Sequence, residues 1–248
     1  MSKNQITIFI IALLILGAFV AVGFKTSDKK EPLNGAPIIG QIENPSKEVD
    51  KITISEKNAH YTIDAFYPKT NSDAITQYFK SYVGGQIAQF KDDTSWVNDV
   101  ESASDGQLSL DIFYVSVPST LVQNYIFTVN SYTGGAHGLQ VRKTFSFNKE
   151  GQLLTLSNLF KNGIDDFTAF TKLVQNELLK REGADADWIA DGAGAKEENY
   201  QSFVVTDVGV TVLFDPYQVA PWSDGAIDIS IPFDSFKTTV NPDIVSTH

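Results

Sequence analysis

Hydrophobic and polar positions change period several times along this chain. Ile6–Phe24 is apolar for nineteen residues without a charge, just long enough as a helix to cross a bilayer core of about 30 Å. A cleavable signal usually has an apolar stretch of only about 7–15 residues and a small-x-small site, and Ala21-Val22-Gly23 is a poor one. The pattern therefore predicts an uncleaved transmembrane anchor over residues 1–24. Residues 25–50 are polar, contain Pro32, Pro37 and Pro45 and show no sustained period, which reads as a flexible linker. Further on, Tyr61, Ile63, Ala65 and Tyr67 alternate with Thr62, Asp64 and Phe66, as in a half-buried strand that ends at Pro68. Asn71-Ser72-Asp73 then caps a helix in which Ile75, Tyr78, Phe79, Tyr82, Ile87 and Phe90 recur at helical spacing through about Lys91. Gly84-Gly85 inside that helix suggests a close backbone contact or a kink.

Alternation returns at Leu108, Leu110, Ile112 and Tyr114, and again at Tyr125, Phe127 and Val129, with Pro118-Ser119-Thr120 between them as a hairpin turn. Val141, Lys143, Phe145 and Phe147 predict a further strand, and Thr155–Phe160 a short helical turn. A second long helix is predicted over Asp165–Arg181, with Phe167, Phe170, Val174 and Leu178 forming a stripe that should lie on a sheet. Residues 183–198 are rich in Gly, Ala and Asp and read as a mobile loop around Trp188-Ile189. Strands at 202–214, turning at Asp207–Gly209, and at 226–231 complete the pattern. The sum is an α+β fold of antiparallel sheets with two long packed helices, in two sub-regions, 51–130 and 131–240, and with no parallel βαβ series.

Charge narrows the range of partners. Beyond residue 30 the chain holds 15 basic and 29 acidic residues, a formal net charge of −14, which repels nucleic acid and attracts basic proteins. With no cysteine there is no disulfide, thiolate metal site or thiol nucleophile. The three histidines, His60, His137 and His248, form no ligand motif, so no metal and no cofactor is expected.

Two segments stand out chemically. In Tyr132-Thr133-Gly134-Gly135-Ala136-His137-Gly138, three glycines surround one histidine at the end of an aromatic strand. Exposed N–H groups and the imidazole could line a small polar pocket, and a tight turn whose imidazole bonds a neighbouring carbonyl is the simpler reading. In Phe214-Asp215-Pro216-Tyr217-Gln218-Val219-Ala220-Pro221-Trp222, aromatic residues and prolines share a loop with acids. Tyr217 there is read chiefly as a plug over the core, and as a binding contact in the alternative. The candidate ligand-binding residues are thus Tyr132, Gly134, Gly135, His137, Asp215, Tyr217 and Trp222. No GxSxG, HExxH, P-loop or GxGxxG motif is present, and no catalytic residue is assigned.

Through Thr133–Gly138, Leu153–Phe160 and Phe214–Pro221 with Gly225 downstream, the chain resembles the extracytoplasmic domain of RsiV-type anti-sigma factors, found also at the N-terminus of PdaC-type peptidoglycan deacetylases. The resemblance covers about residues 50–238. It implies an α+β domain outside the membrane and, in the RsiV branch, a surface for lysozyme, a basic enzyme that would suit the acidic charge. Lys25, Lys29 and Lys30 pull against an outward orientation, but long domains translocate largely regardless of flanking charge. The five residues before the apolar run are too few for a sigma-binding segment. About ten residues after the resembling region leave no place for a deacetylase domain with its metal-binding motifs. The expectation is a single-pass, non-enzymatic cell-envelope binding or sensing module for a lysozyme-like protein or peptidoglycan. The alternative is a small envelope hydrolase using His137 with a carboxylate.

Overall fold

Strand alternation becomes two sheets in the computed structural model, which describes residues 50–99 and 108–241. The predicted anchor and all but the last residue of the predicted linker lie outside the described residues. Among the described residues, no helix is long and apolar enough to cross a membrane.

The first sheet has five strands in sequence order: β1 (Lys51–Lys57), β2 (Tyr61–Pro68), β3 (Leu108–Val117), β4 (Gln123–Tyr132) and β5 (Leu139–Phe147). Between β2 and β3 runs helix α1, Asp73–Asp93, whose start is set by Ser72 Oγ accepting the Ile75 N–H. Because α1 carries the chain back across the sheet before β3 begins, β2 and β3 pair in parallel, Tyr61 opposite Leu108 and Ala65 opposite Ile112. This corrects the expectation of purely antiparallel sheets: the first sheet is mixed. The hairpins β1–β2, β3–β4 and β4–β5 are antiparallel. β5 pairs within this sheet, so the sheet extends past residue 130, where the sequence suggests a division. β1 has no counterpart in the sequence pattern, since Ile52 and Ile54 are only half-buried on an edge strand.

Ile75, Phe79, Val83 and Phe90 face the sheet from α1, each such side chain contributing about 1.5–3 kcal/mol on burial. Phe79 packs edge-on against Tyr125, Phe145 and Phe147, with centroids 4.9–5.8 Å apart. Gly84 and Gly85 lie on the exposed side of α1, where an added Cβ would meet nothing within 4 Å. The helix runs unbroken past them, so they mark neither a close contact nor a break.

The second sheet is β6 (Phe203–Val205), β7 (Gly209–Phe214) and β8 (Ile227–Pro232), all antiparallel. Helix α2 (Ile164–Leu179) lays Phe167, Phe170, Val174 and Leu178 into the same core as Val210, Val212 and Phe214 of this sheet, as its stripe predicts. Residues 186–192 form a short helix, α3, capped by Asp185 accepting from the N–H groups of Asp187 and Trp188. The stretch predicted as a mobile loop is therefore partly helical, with buried Ile189 pinning it to the core.

The sheets join through polar side chains as well as apolar ones. Asn124 on β4 receives the Val205 N–H at 3.1 Å and donates to Val205 O at 2.7 Å, as a neighbouring strand would. Thr144 Oγ1 accepts the Phe203 N–H at 2.7 Å. These bonds satisfy backbone groups of β6 that would otherwise be buried unpaired. Val117 and Ile126 meet Val204 and Leu213 alongside.

Candidate functional site

The segment Thr133–Gly138 joins β4 to β5. Gly134 and Gly135 have φ of +97° and +118°, where a side chain is strained, and a Cβ on Gly134 would lie 3.4 Å from Trp96 Cζ2. Tyr132 Oη closes the turn by donating to Gly135 O at 3.0 Å. His137 is exposed. Its Nδ1 lies 3.0 Å from Gly138 O, in the tautomer that donates there, and its ring stacks on Trp222 with centroids 5.7 Å apart and planes 29° apart. The local turn foreseen for this segment is present, with a solvent-facing imidazole. Among the described residues no hydroxyl or carboxylate hydrogen-bonds His137.

Trp222 belongs to the loop 215–226 between β7 and β8, which is fixed from three sides. At its start, Asp215 Oδ1 accepts the Arg142 N–H at 3.2 Å and lies 3.8 Å from Arg142 Nε. Arg142 Nη2 donates to Phe214 O at 3.1 Å and stands 2.8 Å from Asp228 Oδ1. One guanidinium on the first sheet thereby holds both ends of the loop. Burial pushes the Asp215 carboxyl up from its ordinary 3.8, opposed by the Arg142 N–H and charge and reinforced by Asp228. Burial likewise lifts the Tyr82 phenol to about 12, with Tyr78 and Asp215 adding to it.

In mid-loop, Gln218 Nε2 donates to Gly192 O at 3.0 Å and to Asn199 O at 2.9 Å. A Cβ on Gly192 would sit 1.7 Å from Gln218 O, so glycine is required for α3 to approach the loop. Tyr217, at φ +73°, is the sole non-glycine residue with positive φ among the described residues, a conformation that costs on the order of 1–3 kcal/mol. Trp188 Nε1 donates to its carbonyl at 2.9 Å and helps hold it. The Tyr217 side chain is 63% exposed. It is not a plug over the core.

Two exposed aromatic positions result on one loop: Trp222, 54% exposed and stacked on His137, and Tyr217 beside Trp188. Tyr217 and Trp188 border a shallow groove of about 550 Å³ with Asp185, Asp187 and Asp191. Of the residues predicted from sequence, the structure brings Tyr132 to Gly135 and His137 to Trp222, while Asp215 serves the Arg142 link and exposed Tyr217 borders the groove beside α3. Sequence reasoning missed Arg142, Trp188, the acids Asp187 and Asp191 of α3 and its cap Asp185. Asp185 three residues before Trp188 is a helix-start signal that marks α3. Among the described residues, no group of three His, Asp or Glu side chains is placed to hold a metal ion.

Residues 157–234 match the DUF3298 family, described as proteins of unknown function. The match takes in α2, α3 and the 215–226 loop and leaves out the glycine-rich turn. The peptidoglycan-N-acetylmuramic acid deacetylase PdaC of Bacillus subtilis is 26% identical over 187 residues, 74% of this chain and 39% of PdaC. The chain thus spans well under half the length of that relative. An esterase of Mycobacterium tuberculosis is 24% identical over 232 residues, 90% of this chain and 95% of the esterase. The crystal structure of a DUF3298-family protein from Bacteroides fragilis superposes with a TM-score of 0.55 at 20% identity, covering 79% of this chain and 94% of its own, a likeness of fold. The resemblance read from short segments is borne out at the level of a DUF3298 region and a PdaC relative.

Proposed function

We propose that this chain, which carries a DUF3298 region and is similar to PdaC over most of its length, is an extracytoplasmic, membrane-tethered binding or sensing module of the cell envelope. Its ligand is a basic, lysozyme-like protein, with peptidoglycan as the other envelope ligand to be tested. The observation that carries this reading is the loop 215–226, which displays Trp222 to solvent and sets exposed Tyr217 at the groove lined by Asp185, Asp187 and Asp191. Exposed aromatic residues are common anchors of protein interfaces. Carboxylates beside them attract a cationic partner and speed its arrival. A net charge of −14 beyond residue 30 acts in the same direction. His137 stacks on Trp222 and, among the described residues, hydrogen-bonds no hydroxyl or carboxylate, which supports a binding role over a chemical one.

The test is direct binding of the full chain to hen-type basic lysozyme and, in parallel, to purified peptidoglycan. Trp222→Ala is expected to weaken the interaction by about tenfold or more, with added salt weakening it further. Failure to bind either ligand, or equal affinity in the variant, overturns the reading. Protease added to intact cells should digest the domain, and protection equal to that of a cytoplasmic marker removes the envelope assignment.

A hydrolase is the second reading, favoured by the similarity to a mycobacterial esterase over most of both chains. It predicts turnover of p-nitrophenyl esters that His137→Asn abolishes without loss of stability. Absence of turnover in the wild type removes it.

A further inference from the structure

Away from the 215–226 loop, the two halves of the chain leave a cleft of about 280 Å³ whose lining holds side chains of both charges. Its lining includes Tyr78 of α1, Lys143 and Phe145 of β5, the segment Leu153–Leu156, and Glu197, Glu198 and Tyr200 of the turn Glu197–Tyr200. From the geometry we propose that this cleft binds a zwitterionic amino acid or dipeptide with an apolar side chain. Lys143 receives its carboxylate, and Glu197 and Glu198 receive its ammonium group.

Three observations carry the assignment. First, the cleft charges are not ion-paired. Lys143 is half-buried and its Nζ donates to the neutral amide oxygen of Gln201 at 2.8 Å. Among the described residues it forms no ion pair, and neither do Glu197 and Glu198, although all three line one cleft. Lys143 feels the charge of Asp215 and the two glutamates are exposed, but no ion pair joins the cation to the two anions across the space they line, and a molecule carrying both charges answers both. Burial pushes the Lys143 ammonium down from its ordinary 10.5, opposed by the charge of Asp215, and a bound carboxylate would offset the remaining cost.

Second, the lining includes a firmly built apolar part. Tyr78 packs edge-on against Phe145 at 5.3 Å and Phe147 at 5.7 Å, and Phe145 and Leu154 are buried. The ring of Tyr78 stays partly exposed, at 39%, and is available to an aliphatic side chain. Third, the volume lies just below the roughly 300–1,000 Å³ usual for small-ligand clefts, which limits the occupant to one or two residues. The Leu153–Leu156 segment of the lining is one of the sequence motifs that the aromatic loop leaves unexplained.

The experiment is calorimetric titration of the full chain with leucyl-leucine, N-acetyl-leucine and leucinamide. The dipeptide should bind, while the two probes that each lack one charge bind about tenfold or more weakly. Lys143→Met should weaken dipeptide binding by about tenfold or more, and Lys143→Arg, which keeps the charge, should restore most of it. Trp222→Ala should leave dipeptide binding unchanged, which separates this site from the protein-binding surface. No binding of any probe, equal binding of all three, or equal affinity of the wild type and Lys143→Met overturns the proposal.

Discussion

Arg142 stands between two carboxylates on opposite ends of the 215–226 loop, and its side chain is only 17% exposed. Replacing it by methionine keeps its apolar stem but leaves Asp215 and Asp228 close together with their counter-charge gone. Arg142→Met should therefore destabilise the fold by about 3 kcal/mol, read from the midpoint of urea unfolding. An unchanged midpoint would mean that water and rearrangement replace the guanidinium. His137 is the opposite case. Its imidazole reaches an exposed carbonyl and one face of Trp222, so His137→Ala should cost no more than about 1 kcal/mol. The sequence alone allows a buried imidazole and a larger loss. A loss well above that in the same assay would show that the glycine-rich turn depends on the ring.

At the scale of elements, glycines separate two kinds of necessity. Gly84 and Gly85 occupy the solvent side of α1 with open space where a Cβ would go, so alanine at each should stabilise by about 1 kcal/mol through helix propensity. Gly192 sits where α3 touches the Gln218 backbone, and Gly192→Ala should cost about 3 kcal/mol or more, since the backbones must separate. Thermal melts of the three variants decide the matter, and a neutral Gly192→Ala would refute the close approach. The same elements show what a sequence pattern conveys. α1 and α2 are legible because their apolar stripes repeat at helical spacing and their first turns carry caps or acids. α3 is obscured by its Gly, Ala and Asp content, which resembles a loop unless Asp185 is read as a cap. β1 is obscured because an edge strand shows water one face and much of its rim.

For the whole molecule, the Asn124, Thr144 and Ser146 bonds to β6 tie the two sheets together. The fragment 50–248 should unfold in a single transition by calorimetry, and two resolved transitions would show that the link is weak. Acid tests the same link. The Asp207 carboxyl is held below its ordinary 3.8 first by the Thr120 N–H and then by the Thr120 and Ser119 hydroxyls. It contributes stability that is present above 3.8 and lost as the pH falls through its folded value. Asp215, raised by burial, has the opposite sign: its contribution is present below 3.8 and lost as the pH rises through its folded value. Asp207→Asn should flatten the loss of stability on acidification, and Asp215→Asn should steepen it, measured as Tm against pH from about 2 to 6.

By itself the sequence determined the helix stripes, the hairpin β3–β4, the α+β class and the acidic charge, because each follows from local period, turn chemistry or composition. It also marked Gly134, Gly135, His137, Tyr217 and Trp222, whose residue types are unusual where they stand. Only tertiary structure decided that β2 and β3 run parallel, since strand direction depends on where α1 lands and not on any local pattern. It likewise decided that His137 meets Trp222 across 85 residues, that Tyr217 faces outward, and that Lys143 shares a cleft with Glu197 and Glu198. Those pairings join segments whose separation along the chain carries no periodic signal, and they are set by how two sheets pack through a handful of polar side chains.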